Sequence, residues 1–463
     1  MNPRLDFSAE RMREIGYRVV DSLVDHLTTL PDQPVGAKGE PAALRAALNE
    51  PAPERSMEFE AVLEQLERDV LPNTMHVNHP RFFAYVPGPG NFVSAMADAL
   101  VSGYNVFAGT WISGSGPAAV ELAVIEWLRS ACGFPAGAGG LFVSGGTMAN
   151  LTALCVARHV ALGDRLDGAT VYFSDQAHSS LEKALRVIGL PSANVRKIAC
   201  DSDYRLPVRE LERAIQKDRA EGKRPFCVIA SAGTTNTGAI DPLKDLSRLC
   251  QDQHLWLHVD GAYGASAVIC DRGRELLAGL ELADSLSLDP HKWLFQPFEI
   301  GCVLVRDLAQ LRDAFLILPE YLKDTHQYSA EFNFTDHGLQ LTRGFRALKL
   351  WMSIKVFGMA AFRAAVARGF ELAEFTEARL RKMGGWEIVT PAQMGIVCFR
   401  YEGAGDAAHL QLVQSILKDG FALITSTVLR GRTVLRTCTI NPRTTEADIG
   451  DTLDRLDRLA RQG

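Results

Sequence analysis

Apolar and polar positions follow three different rhythms along the chain. Met12, Ile15, Val19 and Leu23 recur at three- and four-residue steps, one face of a helix that Ser8 can cap. A second helical stripe runs from about Phe59 to Val70 and stops before Pro72, and a proline-rich link, Pro31 to Pro53, separates the two. From Gly140 to Val305 short apolar runs alternate with helical stretches. "LFVS" precedes a helix from Met148, "TVYFS" precedes one near Ser180, "FCVIAS" precedes "GTTNTGAIDPL", and "LWLHVD" leads on to "SLSLD". Repeated βα units predict an α/β fold with a mainly parallel sheet covered by helices. The stretch from Tyr321 to His337 has no period. "LTRGFRALKLWMSIKVFG" then begins helical structure, and "GIVCFRY" and "TVLRTCTI" read as strands of a small α+β domain. The breaks divide the chain into an arm over 1–80, a large domain over 81–345 and a small domain over 346–463.

Composition narrows the class. A chain of 463 residues, 47% apolar, is too long for one core. Its net charge of −6 offers no general attraction for nucleic acid or an anionic membrane. No apolar run reads as membrane-spanning, and "MNPRLDFSAERMREIG" lacks the apolar core of a signal peptide. Nine cysteines without a CxxC pair read as reduced, buried thiols, which predicts a cytoplasmic protein.

The chemistry gathers at strand ends. In "DSLSLDPHKW" Leu286 and Leu288 alternate with serines, and Pro290 ends the strand by removing a donor. Lys292 stands just past that end, between His291 and Trp293. A lone lysine after a strand is ordinarily a surface residue. Held between aromatic neighbours at the mouth of a sheet, it becomes a candidate amine nucleophile. A second site supports that reading: "HLWLHVDGAYG" puts Asp260 at the end of another strand, with Gly261 and Ala262 permitting close approach. A lysine and an aspartate so placed are the pair that pyridoxal phosphate needs. The amine attaches the cofactor, and the carboxylate keeps the pyridine nitrogen protonated so that the ring works as an electron sink. In "SGGTMAN", Gly145 and Gly146 let backbone amides approach an anion at a helix start, and Thr147 adds a hydroxyl, which suits the phosphate.

Two other patterns are set aside. Gly114 to Ala119 matches GxGxxA, but no acidic residue follows at the distance a ribose contact requires. His254 and His258 share the alternation of Asp260, yet a fourth metal ligand is missing nearby, so no metal site is assigned.

Together "DPHKW", "HVDGAYG", "SDQAHSS" and "HPRFFAY" resemble the group II pyridoxal-phosphate amino-acid decarboxylases, the group of the aromatic-L-amino-acid decarboxylases, in the same order over nearly the whole chain. The resemblance implies fold type I, with an aspartate aminotransferase-like large domain. It also implies a homodimer with shared active sites, in which the N-terminal arm packs on the partner subunit. The implied activity is that of a carboxy-lyase turning an L-amino acid into its amine and carbon dioxide. His178 would stack on the cofactor ring and reach the substrate carboxylate or the reacting carbon. Thr235, in "GTT", would contact cofactor and substrate. Ala262, Asp289 and His291 would complete the shell around Lys292, while Phe82 and Gly88 would line the substrate side. Asp289 stands where some relatives carry asparagine at the phosphate, and a carboxylate there repels phosphate unless it is bonded to backbone amides.

The family pattern is broken in one place. Counted back from Arg343, relatives place a tyrosine at the position of Phe334, on a mobile loop reaching a neighbouring subunit's site, where its phenol returns a proton to Cα. Phenylalanine has none to give, and in the resembled plant enzymes this exchange accompanies aldehyde formation. Tyr328 or His178 are the alternative acids. The rival functions are thus oxidative release of an aldehyde, ammonia and peroxide, and a binding module that merely retains the cofactor site. Aromatic-specific relatives carry larger residues at the positions of Val77, Gly88 and Gly109, and no arginine can be assigned to a distal substrate carboxylate.

Overall fold

The computed structural model describes residues 5–317 and 331–462. The arm opens with α1 (Ala9–Thr29), whose cap is the Ser8 hydroxyl accepting from the Arg11 amide at 3.2 Å. The predicted stripe forms but stays in water, with Met12, Val19 and Leu23 exposed and no residue of α1 buried. After α2 (Pro41–Leu48), α3 (Phe59–Gln65) runs on through a wide turn and then a tight one as far as Asn73. Next come α4 (Phe92–Gly103) and α5 (Trp111–Ala131). The GxGxxA run lies inside α5 rather than between a strand and a helix. Gly114 kinks that helix, and a Cβ there would stand 2.6 Å from the Phe107 carbonyl oxygen.

The large sheet is wound from β1 (Gly139–Val143), α6 (Gly146–Leu162), β2 (Ala169–Ser174), α7 (Ser180–Val187), β3 (Val195–Ile198), α8 (Val208–Ala220) and β4 (Arg224–Ser231). It continues through α9 (Leu243–Gln253), β5 (Trp256–Asp260), α10 (Asp271–Leu276), β6 (Ser285–Leu288) and β7 (Gly301–Val305). The strand order is β1-β7-β6-β5-β4-β2-β3, and β7 alone in this sheet runs against its neighbours. Strands β1, β2, β5, β6 and β7 are buried along their whole length, as continuous apolar runs between two helical layers must be. Alternate residues serve different layers: Phe142 and Tyr172 enter one core cluster, Leu141, Val143, Val171 and Phe173 the other.

Beyond the sheet lie α11 (Leu308–Phe315) and α12 (Ala347–Met383), the latter kinked at Gly358. By length and composition alone α12 could cross a membrane, contrary to the expectation from the sequence. Here it packs on α4, α5 and the small sheet. That sheet comprises β8 (Trp386–Gln393), β9 (Ile396–Tyr401), β10 (Thr425–Leu429) and β11 (Arg432–Cys438), all antiparallel in the order β10-β11-β9-β8. Helices α13 (Asp406–Asp419) and α14 (Glu446–Gln462) cover it. The sequence pattern gave β9 and β11 only, because β8 and β10 are half-exposed and lack a clean apolar face.

Candidate active site

Strands β1, β2, β4, β5 and β6 all deliver their carboxyl ends to one cavity of about 330 Å³. That is where an open α/β sheet offers its ligand site. All ten residues predicted for the cofactor shell line this cavity.

The β6 end supplies the amine. Asp289 donates its backbone N–H to the Ala262 carbonyl at 3.0 Å, which ties the two strand ends together, and the Lys292 amide closes a turn onto Asp289 O at 3.0 Å. Trp293 is completely buried, stacked on Tyr263 with ring centroids 5.4 Å apart and packed against Phe370. The indole anchors the turn and leaves Lys292 pointing into the cavity, where Nζ lies 2.9 Å from Asp289 Oδ2. Among the described residues Asp289 Oδ2 meets the Lys292 amine, while its Oδ1 is buried without a hydrogen-bond partner, so the backbone amides expected to hold this carboxylate do not do so. His291 Nε2 lies 3.5 Å from the same oxygen, and its Nδ1 accepts the Ile300 amide at 3.3 Å. Burial pulls the His291 pKa below its ordinary value, partly opposed by Asp289.

The β5 end supplies the carboxylate. Asp260 accepts from Asn150 Nδ2 at 3.1 Å, from the Ser287 hydroxyl at 3.2 Å and from the Ala262 amide at 3.2 Å. Ser287 reaches it because the two residues are in register on neighbouring parallel strands. Asn150, Ser287 and Ser180 were not anticipated from the sequence. The available signal for Asn150 was its position one helical turn beyond Gly146, on the side of α6 that faces the sheet.

The β1 end supplies the anion site. A side chain at Gly145 would stand 3.1 Å from His291, and one at Gly146 would stand 2.9 Å from both Ala262 Cβ and Asp289 Oδ2, so the turn must be bare. It leads into the 17 residues of α6, whose first amides have no helical partner. An amine, a carboxylate held by three donors and a bare amide turn at a helix start match the aldehyde, ring nitrogen and phosphate of pyridoxal phosphate. The residues present fit that group.

Other expectations are corrected. Phe82 is buried with Val35, Ala84 and Leu423 and does not line the cavity; it anchors its loop. Gly88 does not line it either, and a Cβ there would meet the His291 carbonyl at 2.6 Å. Likewise a Cβ at Gly109 would stand 2.5 Å from the Phe107 ring, so neither glycine leaves open space. Phe334 is fully buried in the core cluster that also holds Leu141, Val303 and Leu311, with the Arg343 guanidinium 4.6 Å above its ring. Its ring packs on Phe332 and Arg343 and is not among the residues that line this chain's cavity. Tyr328 lies outside the described residues. His254 is not on β5: it ends α9 in the left-handed conformation with φ 52°. His258 is on β5 but bonds to Ser285 and Asn150, and among the described residues no cluster of ligating side chains could hold a metal.

Comparison with known proteins agrees with this geometry. Residues 41–402 match the model of the pyridoxal-dependent decarboxylase conserved domain. The whole chain is 47% identical to an aromatic-L-amino-acid decarboxylase of Bacillus atrophaeus, covering 98% of that protein. It superposes on the crystal structure of Oryza sativa TDC with PLP and tryptamine with a TM-score of 0.94 and 29% identity, covering 100% of this chain and 99% of that one. Catharanthus roseus tryptophan decarboxylase, solved in complex with L-tryptophan, gives a TM-score of 0.93 at 26% identity, covering 99% and 100%. Fold type I, the pyridoxal phosphate site and the carboxy-lyase activity follow together: the chain belongs to the pyridoxal-dependent decarboxylase family, in its group II.

Proposed function

We propose that this protein decarboxylates an aromatic L-amino acid to its amine and carbon dioxide. The observation that carries the reading is that one cavity gathers Lys292, Asp260, His178 and the Gly145–Gly146 turn. Pyridoxal phosphate, when bound, supplies a sink for the electron pair left as the Cα–carboxylate bond breaks. Lys292 is the amine that attaches it, and Asp289 orients that amine beforehand. The amides heading α6, with the Thr147 hydroxyl, hold the phosphate. Asp260 accepts from the ring nitrogen, and its three donors keep it aimed. Thr235 supports the substrate side. His178 covers the ring, orients the departing carboxylate and holds the proton that returns to Cα.

The substrate class is supported by the relatives, an aromatic-L-amino-acid decarboxylase at 47% identity and a tryptophan decarboxylase solved with L-tryptophan. Oxidative release of an aldehyde stays the alternative reading, because Phe334 has no phenol proton to return, and peroxide in the test below reads it out. The exposed Met12, Tyr17 and Leu23 of α1 suit a second copy of the chain, hence a homodimer with the arm at its interface. Nine cysteines standing as free thiols suit the cytoplasm. The boundaries 1–80, 81–345 and 346–463 are retained as the division into arm, large and small domains.

The test is a screen of the twenty amino acids and dihydroxyphenylalanine against purified holoenzyme, with carbon dioxide, amine and peroxide measured together. Turnover of aromatic substrates with amine matching carbon dioxide is expected. Turnover confined to acidic or basic substrates would overturn the proposal.

A further inference from the structure

Behind the cavity a chain of buried polar groups joins Asp260 to His178. Asn150 is fully buried and uses every polar atom it has. Its Nδ2 donates to Asp260 Oδ2 at 3.1 Å and to Ser180 Oγ at 3.3 Å, while Oδ1 faces His258 Nε2 at 3.0 Å. The amide cannot be turned over, because its oxygen would then face a carboxylate oxygen. His258 must therefore donate from Nε2, which leaves Nδ1 to accept the Ser285 hydroxyl at 2.9 Å. Ser285 in turn accepts from Trp256 Nε1 at 2.8 Å.

The other branch is fixed in the same way. Ser180 accepts from Asn150, so its own hydrogen is free to point at His178 Nδ1, 2.8 Å away. The backbone N–H of Ser180 donates to the same Nδ1 at 3.2 Å. Two donors converging on one ring nitrogen leave it no room for a proton of its own. The proton of His178 therefore sits on Nε2, on the edge of the ring turned away from Ser180.

We propose that Asn150 is a positioning residue that, through Asp260 and Ser180, fixes both the carboxylate for the cofactor's ring nitrogen and the Nε2–H tautomer of His178. The proposal rests on the reading of Lys292 and Asp260 as cofactor anchors and adds to it how the two sides of the site are coupled. Asparagine suits the position because it offers two donors and one acceptor at fixed spacing. Aspartate would offer acceptors only and would set a second carboxylate beside the first. His178 thus meets the substrate as a donor, ready to bond a carboxylate or to give a proton at carbon.

The test is nitrogen NMR of the holoenzyme labelled at histidine, with His178 and His258 assigned by loss of their signals in His178→Gln and His258→Gln. Both rings are expected to carry the proton on Nε2 and none on Nδ1. A proton on Nδ1 of either would overturn the network. In Asn150→Ala the cofactor dissociation constant should rise on the order of ten- to a hundredfold, as for loss of a buried bond to a charged group. The absorption band of bound cofactor should shift as well, which a merely structural role would not cause. If affinity and spectrum stay at wild-type values, Asn150 has no positioning role. Should Asn150→Ala fail to fold, Ser180→Ala asks the same of the His178 branch: its Nδ1 and Nε2 signals should move while those of His258 stay, and an unmoved His178 overturns the coupling. Borohydride reduction of the same samples separates the two levels. Label on a lysine other than Lys292 defeats the reading of the site, whereas label on Lys292 with a protonated Nδ1 defeats the network alone.

Discussion

Glu121→Leu is expected to be among the most destabilising single changes in this chain, although Glu121 touches nothing in the cavity. Glu121 and Arg343 lie 222 residues apart in sequence and form a two-pronged pair, with N–O distances of 2.6 and 2.9 Å and side chains 0% and 1% exposed. The guanidinium also donates to the carbonyls of Ala108 and Phe142, and Glu121 Oε1 accepts the Phe142 amide at 3.0 Å. The pair therefore braces β1 at Phe142, three residues before the Gly145–Gly146 turn. Removing Glu121 leaves a buried cation with carbonyl dipoles and the Phe334 ring but no counter-charge, a loss of about 3–5 kcal/mol. The total stability of a domain is roughly 5–15 kcal/mol, so the change should show as a large drop in the urea midpoint at fixed cofactor concentration. Arg343→Met should cost about as much, by the reverse argument. The double variant Glu121→Leu/Arg343→Met should cost less than the sum of the two single ones. It leaves no orphan charge, only the Phe142 amide and the Ala108 and Phe142 carbonyls without these partners, at about 1–3 kcal/mol for each group left unsatisfied. A single-variant cost below about 1 kcal/mol, the level of an exposed pair, or costs that simply add in the double variant, would refute the reasoning.

Three further outcomes follow from the site. Lys292→Ala should abolish turnover by many orders of magnitude, and borohydride with peptide mapping should label only the Lys292 peptide of the wild type; label elsewhere sinks the assignment. Asp260→Asn offers one acceptor oxygen to three donors, so cofactor should bind at least roughly tenfold more weakly and turnover should fall further; near-normal turnover would mean that another group serves the ring nitrogen. The His258 pKa is pushed down to about 4 by burial from an ordinary 6.5, so its contribution to stability is complete above pH 6.5 and is lost as pH falls toward 4. Asp241, pushed up to about 6 by burial, has the opposite slope, contributing below its ordinary 3.8 and losing that contribution as pH rises through 6. Hence His258→Gln, rather than wild type alone, should be compared by urea titration at several pH values. An unchanged acid slope would show that His258 is not buried neutral.

The large sheet was readable because its strands are buried on both faces, and a run such as "LFVS" or "LWLHVD" has no other use in a chain of this composition. Helix α1 was readable for a local reason too, since Ser8 caps it. The small sheet was half hidden, because β8 and β10 carry a mixed, half-exposed face. The surroundings of Phe334 were hidden for a related reason. Counting along the chain fixes a position relative to Arg343, but it cannot say that Arg343 is buried against Glu121 and draws the ring in with it.

The same distinction runs through the site. Lys292, Asp260, His178 and the glycine turn each sit at the end of a strand inside a short contiguous motif, so the residue that acts and the backbone that aims it are neighbours in sequence. What aims the side chains is distributed differently. Asn150 reaches Asp260 across 110 residues and His258 across 108, and Glu121 reaches Arg343 across 222. A parallel sheet makes this unavoidable, because consecutive strands are a helix apart and the groups that meet at their ends come from separate βα units. A side chain that touches the cofactor is restricted in type by the cofactor's chemistry, which a reader of sequence can know in advance. A side chain that touches only another side chain is restricted by which neighbour the fold provides. For Asn150 that neighbour set is two acceptors and one donor, and only the folded structure brings them together.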